Sequence, residues 1–148
     1  MHKRQVMWRW LLGLPLVAIL SMAGASVLAY QARPPKVAID TRNLPEVSAH
    51  PVPRGAIAPV QGHQPGRIFL VRGAQGWMAF ANRSTHLGEP VEWRAEYNRF
   101  LDIYSGAMWD KEGRPVAGPA PRGLDGYAVT QDGDFAVIDF AKPVIGQH

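Results

Sequence analysis

The chain has no cysteine among its 148 residues. That excludes disulfides, thiolate nucleophiles and every metal cluster held through cysteine sulfur. Charge is also sparse, at 19% of residues, and the net charge of +4 comes from cations scattered along the chain. A basic stripe with interleaved aromatics is the footprint of nucleic-acid binding, and its absence means that no nucleic-acid partner is expected. No internal repeat is visible, and no amphipathic helical period interrupts the second half of the chain. His50 and His63 lie in a proline-rich stretch and His148 ends the chain, so these three do not form a ligand set.

One long apolar run is present. Trp10 to Tyr30 reads WLLGLPLVAILSMAGASVLAY, 21 residues without a charge. As a helix at about 1.5 Å per residue it spans roughly 30 Å, the hydrocarbon thickness of a bilayer. His2, Lys3, Arg4 and Arg9 precede it and orient such a helix with its N-terminus in the cytoplasm. Residues 1–30 are therefore expected to be a basic leader and a single transmembrane anchor in the inner membrane, with the remainder on the periplasmic side. Cleavage near Val27-Leu28-Ala29 is the competing reading, but the run exceeds the roughly 7–15 apolar residues of a signal peptide. Ser21, Ala25 and Ala29 recur every four residues, a small-residue face suited to packing on another membrane helix, or simply the common composition of spans.

Residues 31–66 hold seven of the 13 prolines. Proline removes a backbone donor and fixes φ, so this stretch reads as an extended, semi-rigid linker that needs a neighbour to be ordered. From Arg67 onward the pattern is all-β. Residues 67–71 and 77–81 are apolar runs joined by Gly73-Ala74-Gln75-Gly76. Residues 92–95 and 99–101 flank Tyr97-Asn98, and residues 127–130 and 135–139 flank a turn with Asp132-Gly133. Short strands at this spacing predict small antiparallel sheets or a barrel over residues 67–148.

Within that region Ser84-Thr85-His86-Leu87-Gly88-Glu89-Pro90-Val91 resembles the first cluster-binding loop of Rieske iron–sulfur proteins, C-T-H-L-G-C-P-V. Residues 98–107, NRFLDIYSGA, resemble the second loop, whose core is C-P-C-H-G-S. Met108-Trp109-Asp110, Gly113-Arg114-Pro115-Val116 and Ala117-Gly118-Pro119-Ala120-Pro121-Arg122 resemble the tail with its proline loop, and Leu124 and Tyr127-Ala128-Val129 continue it. The resemblance implies a Rieske-like fold, and it also locates what is missing. The four ligand positions are Ser84, His86, Asp102 and Ser105, so only the first histidine is kept. The positions of the family's loop disulfide are Glu89 and Tyr104. Ala107 stands for the serine, and Trp109 for the tyrosine, that tune the cluster. Oxygen ligands are poor substitutes for soft thiolates, so no cofactor is expected.

Tyr104, Trp109 and Ile103 are larger than the residues they stand for and are expected to fill the vacated volume, with Glu89 and Tyr104 placed to hydrogen-bond or Glu89 solvated. Ser84, His86 and Asp102 also invite a hydrolytic triad or a weak oxygen–nitrogen metal site, but a leftover polar cluster is the simpler expectation. What the resemblance implies is a non-catalytic accessory subunit of a membrane electron-transfer complex. Its partners would be integral membrane subunits such as a cytochrome b-like protein, and lipid. The alternative is a tethered module that binds a ligand or partner at the former cluster tip.

Overall fold

The computed structural model describes residues 35–59 and 65–147. Ten strands make up this part: β1 Lys36–Asp40, β2 Val47–Pro51, β3 Arg67–Gly73, β4 Gly76–Ala81, β5 Glu92–Arg94, β6 Arg99–Leu101, β7 Met108–Trp109, β8 Pro115–Ala117, β9 Gly126–Asp132 and β10 Phe135–Val144. A six-stranded sheet has the order β1-β10-β9-β4-β3-β2, and a four-stranded sheet the order β5-β6-β7-β8. Every pairing is antiparallel, as expected of an all-β domain.

Side chains of a strand alternate between its two faces, and β3 uses both. Ile68 and Leu70 enter one core with Ala79, Tyr127, Ala136, Ile138 and Phe140. Phe69 and Val71 enter a second with Val91, Phe100, Ala107, Trp109 and Leu124. The continuous run IFLV is thus buried on both sides, which explains why it lacks polar alternation. The second core is rich in aromatics: the Phe100 ring lies 5.2 Å from Phe69 and 4.8 Å from Trp93, centroid to centroid. This core lies beneath the loops that carry the candidate site.

The three expected hairpins form. The turn between β5 and β6 places Asn98 at φ 50°, a left-handed conformation that asparagine tolerates better than most side chains. β9 and β10 pair from Phe135 opposite Asp132 to Asp139 opposite Ala128, and a bulge precedes Pro143.

The linker expected over residues 31–66 is corrected within its described part. Lys36–Asp40 pairs in register with Phe135–Asp139, and Val47–Pro51 with Arg67–Val71. Both are outermost strands of the six-stranded sheet, and Pro51 ends its strand rather than interrupting it, so the prolines cost little pairing. The domain therefore begins near residue 35 rather than 67, and these strands are ordered by their own sheet instead of by another chain. The expected anchor and the Ser21, Ala25 and Ala29 face lie outside the described residues. Among the described residues no helix is long and apolar enough to cross a membrane.

Candidate functional site

Three loops meet over the second core. The first, residues 82–91, joins β4 to β5; the second, residues 102–107, joins β6 to β7; the third, residues 118–125, joins β8 to β9. In the first, the Asn82 side chain closes the ends by accepting from Val91 N–H at 2.8 Å. Ser84 N–H donates to the Glu89 carbonyl at 2.7 Å and Gly88 N–H to the Ser84 carbonyl at 3.0 Å. In the second, Asp102 N–H donates to the Ala107 carbonyl at 2.9 Å and Gly106 N–H to the Asp102 carbonyl at 2.8 Å. The third packs against the second so closely that a Cβ on Gly118 would lie 2.5 Å from the Gly106 carbonyl oxygen. Gly118 has φ +77°, so the loop needs glycine both for its conformation and for this approach.

A single carbonyl joins the loops from below. The Arg122 oxygen accepts from Thr85 Oγ1 at 2.9 Å and from Trp109 Nε1 at 3.0 Å. The Arg122 guanidinium forms a two-pronged pair with Asp125, whose Oδ1 also accepts from Gly146 N–H at 2.9 Å. Asp125 is itself buried. Neither Arg122 nor Asp125 stood out in the sequence; their three-residue separation was the available signal.

Of the four former ligand positions, a direct hydrogen bond joins two, Asp102 and Ser105. Asp102 is fully buried. Its Oδ1 accepts from the backbone N–H of Tyr104 at 2.9 Å and of Ser105 at 3.2 Å, and its Oδ2 accepts from Ser105 Oγ at 2.6 Å. Burial pushes the Asp102 carboxyl up, but the bonds from Ser105 and the two backbone N–H groups outweigh it and hold the group below the ordinary value of 3.8. His86 is not part of this cluster. Its side chain is exposed, and only its backbone N–H reaches Ser84 Oγ, at 3.2 Å. The imidazole lines a cleft of about 200 Å³ with Arg83, Thr85, Leu87 and Arg122.

This geometry decides several of the sequence expectations. No hydrogen bond joins the His86 ring to Ser84 or Asp102, so the three do not form a base-activated nucleophile. Among the described residues no group of three or more histidine and carboxylate side chains is arranged as a metal site. Trp109 is buried and fills volume as expected, but Ile103 and Tyr104 are 51% and 68% exposed. That part of the packing expectation is corrected: the Asp102 carboxylate draws the loop backbone inward, and the side chains at 103 and 104 turn to solvent. Glu89 is exposed as well, and no hydrogen bond links it to Tyr104.

A Rieske-type iron–sulfur cluster does not fit these residues. It needs two thiolates for one iron, and here the available groups are a carboxylate and two hydroxyls, with Asp102 and Ser105 already bonded to each other. His86 stands apart from them.

No family model matches the chain. The sequence is 36% identical over 70 residues to the cytochrome b6-f complex iron-sulfur subunit of Synechococcus sp. (strain JA-3-3Ab), covering 47% of this chain and 41% of that protein. It is 40% identical over 55 residues to the cytochrome b6-f complex iron-sulfur subunit 2 of Synechocystis sp. (strain ATCC 27184 / PCC 6803 / Kazusa), covering 36% and 31%. The matched stretch is thus less than half the length of each of these curated relatives. Among solved structures, it is similar to the cyanobacterial plasma membrane Rieske protein PetC3 from Synechocystis PCC 6803, at 28% identity and a TM-score of 0.44, over 52% of this chain and 81% of that one. These partial matches support the chain as a relative of the Rieske proteins, and its lack of cysteine fits a degenerate member.

Proposed function

We propose that the protein is a cluster-free, non-catalytic accessory subunit of a membrane electron-transfer complex, held on the periplasmic side of the inner membrane by residues 1–30. The observation that carries this reading is the former ligand set itself. Asp102 and Ser105 bond each other, and Ser84 Oγ is taken by the His86 N–H of its own loop, inside a loop scaffold that otherwise follows the family pattern, so the scaffold outlasts the electron carrier. The relatives named as subunits of the cytochrome b6-f complex support a host of that general kind, with a cytochrome b-like subunit and lipid as neighbours. The uncharged 21-residue run behind a basic leader supports the anchor and its direction.

The second reading, a tethered module that binds at the tip, is favoured by one observation, the cleft beside His86. Affinity purification of the full chain from native membranes separates the two. The accessory reading expects integral membrane subunits to co-migrate in fixed ratio, with no iron or acid-labile sulfide assigned to this chain. A chain that migrates alone overturns it in favour of the module, and stoichiometric iron with sulfide overturns both.

A further inference from the structure

Only residues 31–35 separate the apolar run that ends at Tyr30 from β1, which starts at Lys36. A chain advances at most about 3.6 Å per residue, so these six steps reach roughly 20 Å. On the anchor reading, on which this inference rests, the end of the six-stranded sheet where β1 starts stays about that close to the bilayer surface.

Strand register identifies what else lies at that end. β10 is antiparallel to β1, with Asp139 opposite Lys36, so residues 140–144 run on past the start of β1. The turn at residues 53–56 lies beside them. Ile57 N–H donates to the Phe140 carbonyl at 3.0 Å, and a Cβ on Gly55 would lie 4.0 Å from Pro35. Lys36, Arg54 and Lys142 therefore surround the point where the chain enters the domain, and Arg67 starts β3 at the same end of the sheet. All four are exposed. The buried Asp139 carboxylate is shared: its Oδ2 lies 3.5 Å from Lys36 Nζ and 3.9 Å from Lys142 Nζ, so one anion serves two ammonium groups. The loops at this end add Arg83 and Arg122 against Glu89 and Asp125, which cancel in number. At the opposite end of the sheet the balance turns acidic, with Asp40 and Asp134 beside Arg42 and Asp132 opposite Phe135.

Ile57, Val144 and Ile145 lie at the cationic end as well, and each is close to half exposed. Exposed cations beside exposed aliphatic side chains match a layer of anionic lipid headgroups, where phosphates meet the amines and the aliphatic groups rest toward the acyl chains. We propose that this end of the sheet, centred on Lys36, Arg54 and Lys142, docks on anionic phospholipid headgroups. The short tether keeps the surface within reach, and the charge difference between the two ends selects which one turns to the membrane.

The test places the full chain in lipid nanodiscs of phosphatidylcholine, with and without phosphatidylglycerol. A water-soluble amine-acylating reagent is added, and the rate at each lysine is read by mass spectrometry. Lys36 and Lys142 are expected to react about fivefold more slowly in the anionic discs, the scale of what one basic residue gains at such a surface. Lys111, held by Glu46 away from this end, is expected to react alike in both. Salt of about 1 M should abolish the difference, because the Debye length falls to about 3 Å. Arg54→Gln leaves the Asp139 pairs in place and is expected to recover part of it. Equal rates at Lys36 and Lys142 in both lipids overturn the proposal, and so does protection that appears only in native membranes, which would assign the surface to a protein partner. A chain that fails to co-elute with the phosphatidylcholine discs overturns the anchor reading instead. In that case joining the anionic discs alone still supports the docking surface, and joining neither overturns it.

Discussion

Replacing Trp109 with alanine is expected to lower the stability of the domain by about 3–5 kcal/mol, the usual cost of removing a buried tryptophan from a core. Trp109 is the largest wholly buried side chain among the described residues and belongs to the second core. That core draws on both sheets, with Phe69 and Val71 on β3 and Phe100 on β6, so its members are held by strand pairing and cannot collapse freely into a gap. Side chains that line an unfilled hole have no partner atoms on that side, and their dispersion attraction is not made up elsewhere. The indole also donates to the Arg122 carbonyl, but that carbonyl keeps a second donor in Thr85. Trp109→Phe should therefore cost only about 1 kcal/mol beyond the change in ring volume. Urea titration of wild type and both variants measures this. With total stabilities of about 5–15 kcal/mol, the alanine variant should lose a large share of its midpoint. An alanine variant within about 1 kcal/mol of wild type would mean that the second core is not packed around this ring.

How much of this was legible beforehand depended on where each contact lies in the chain. The hairpins around Gly73–Gly76, Tyr97-Asn98 and Asp132-Gly133 were readable because turn chemistry is local. β1 and β2 were not, because their partners are remote: Lys36 pairs opposite Asp139, and Val47 opposite Val71. KVAID alternates well, but the prolines on either side of it read as linker, and nothing nearby announces that a sheet edge is waiting. β7 and β8 are two and three residues long, too short for any periodicity to register. At the site, the ordered string of loop residues located the former ligand positions. What it left out was the direction of the chain between them. Aromatic bulk at Tyr104 reads as filling, whereas the turn around Asp102 sends that side chain outward and leaves Trp109 and Ala107 to close the core. Side-chain size can be read from a sequence, but the turn that aims the side chain depends on which neighbour accepts its backbone N–H groups.

Asp102→Ala is expected to destabilise the protein by about 2–4 kcal/mol at neutral pH, because three donors lose their common acceptor and two of them are backbone N–H groups. The cost is moderated by relief of burying the charge, which is why it falls short of three charged hydrogen bonds added together. Asp102→Asn should cost less, since its carbonyl oxygen still accepts from Tyr104 and Ser105 N–H while its amide group turns the Ser105 hydroxyl around. The pH dependence separates a charged, hydrogen-bonded turn from mere packing. The folded carboxyl lies below 3.8, so the stability it contributes is present above the unfolded value and is lost as pH falls through the folded one. The gap between wild type and either variant should be widest at neutral pH and narrow only once the solution is more acidic than about pH 4, near the ordinary aspartate value. Urea midpoints taken across the acid range read this directly. A gap that stays constant through that range would show that folding leaves the Asp102 carboxyl unperturbed, and one that opens on acidification would show that it is buried as the neutral acid. Either result would mean that the hydrogen bonds from Tyr104 and Ser105 do not stabilise the charge over the cost of burying it.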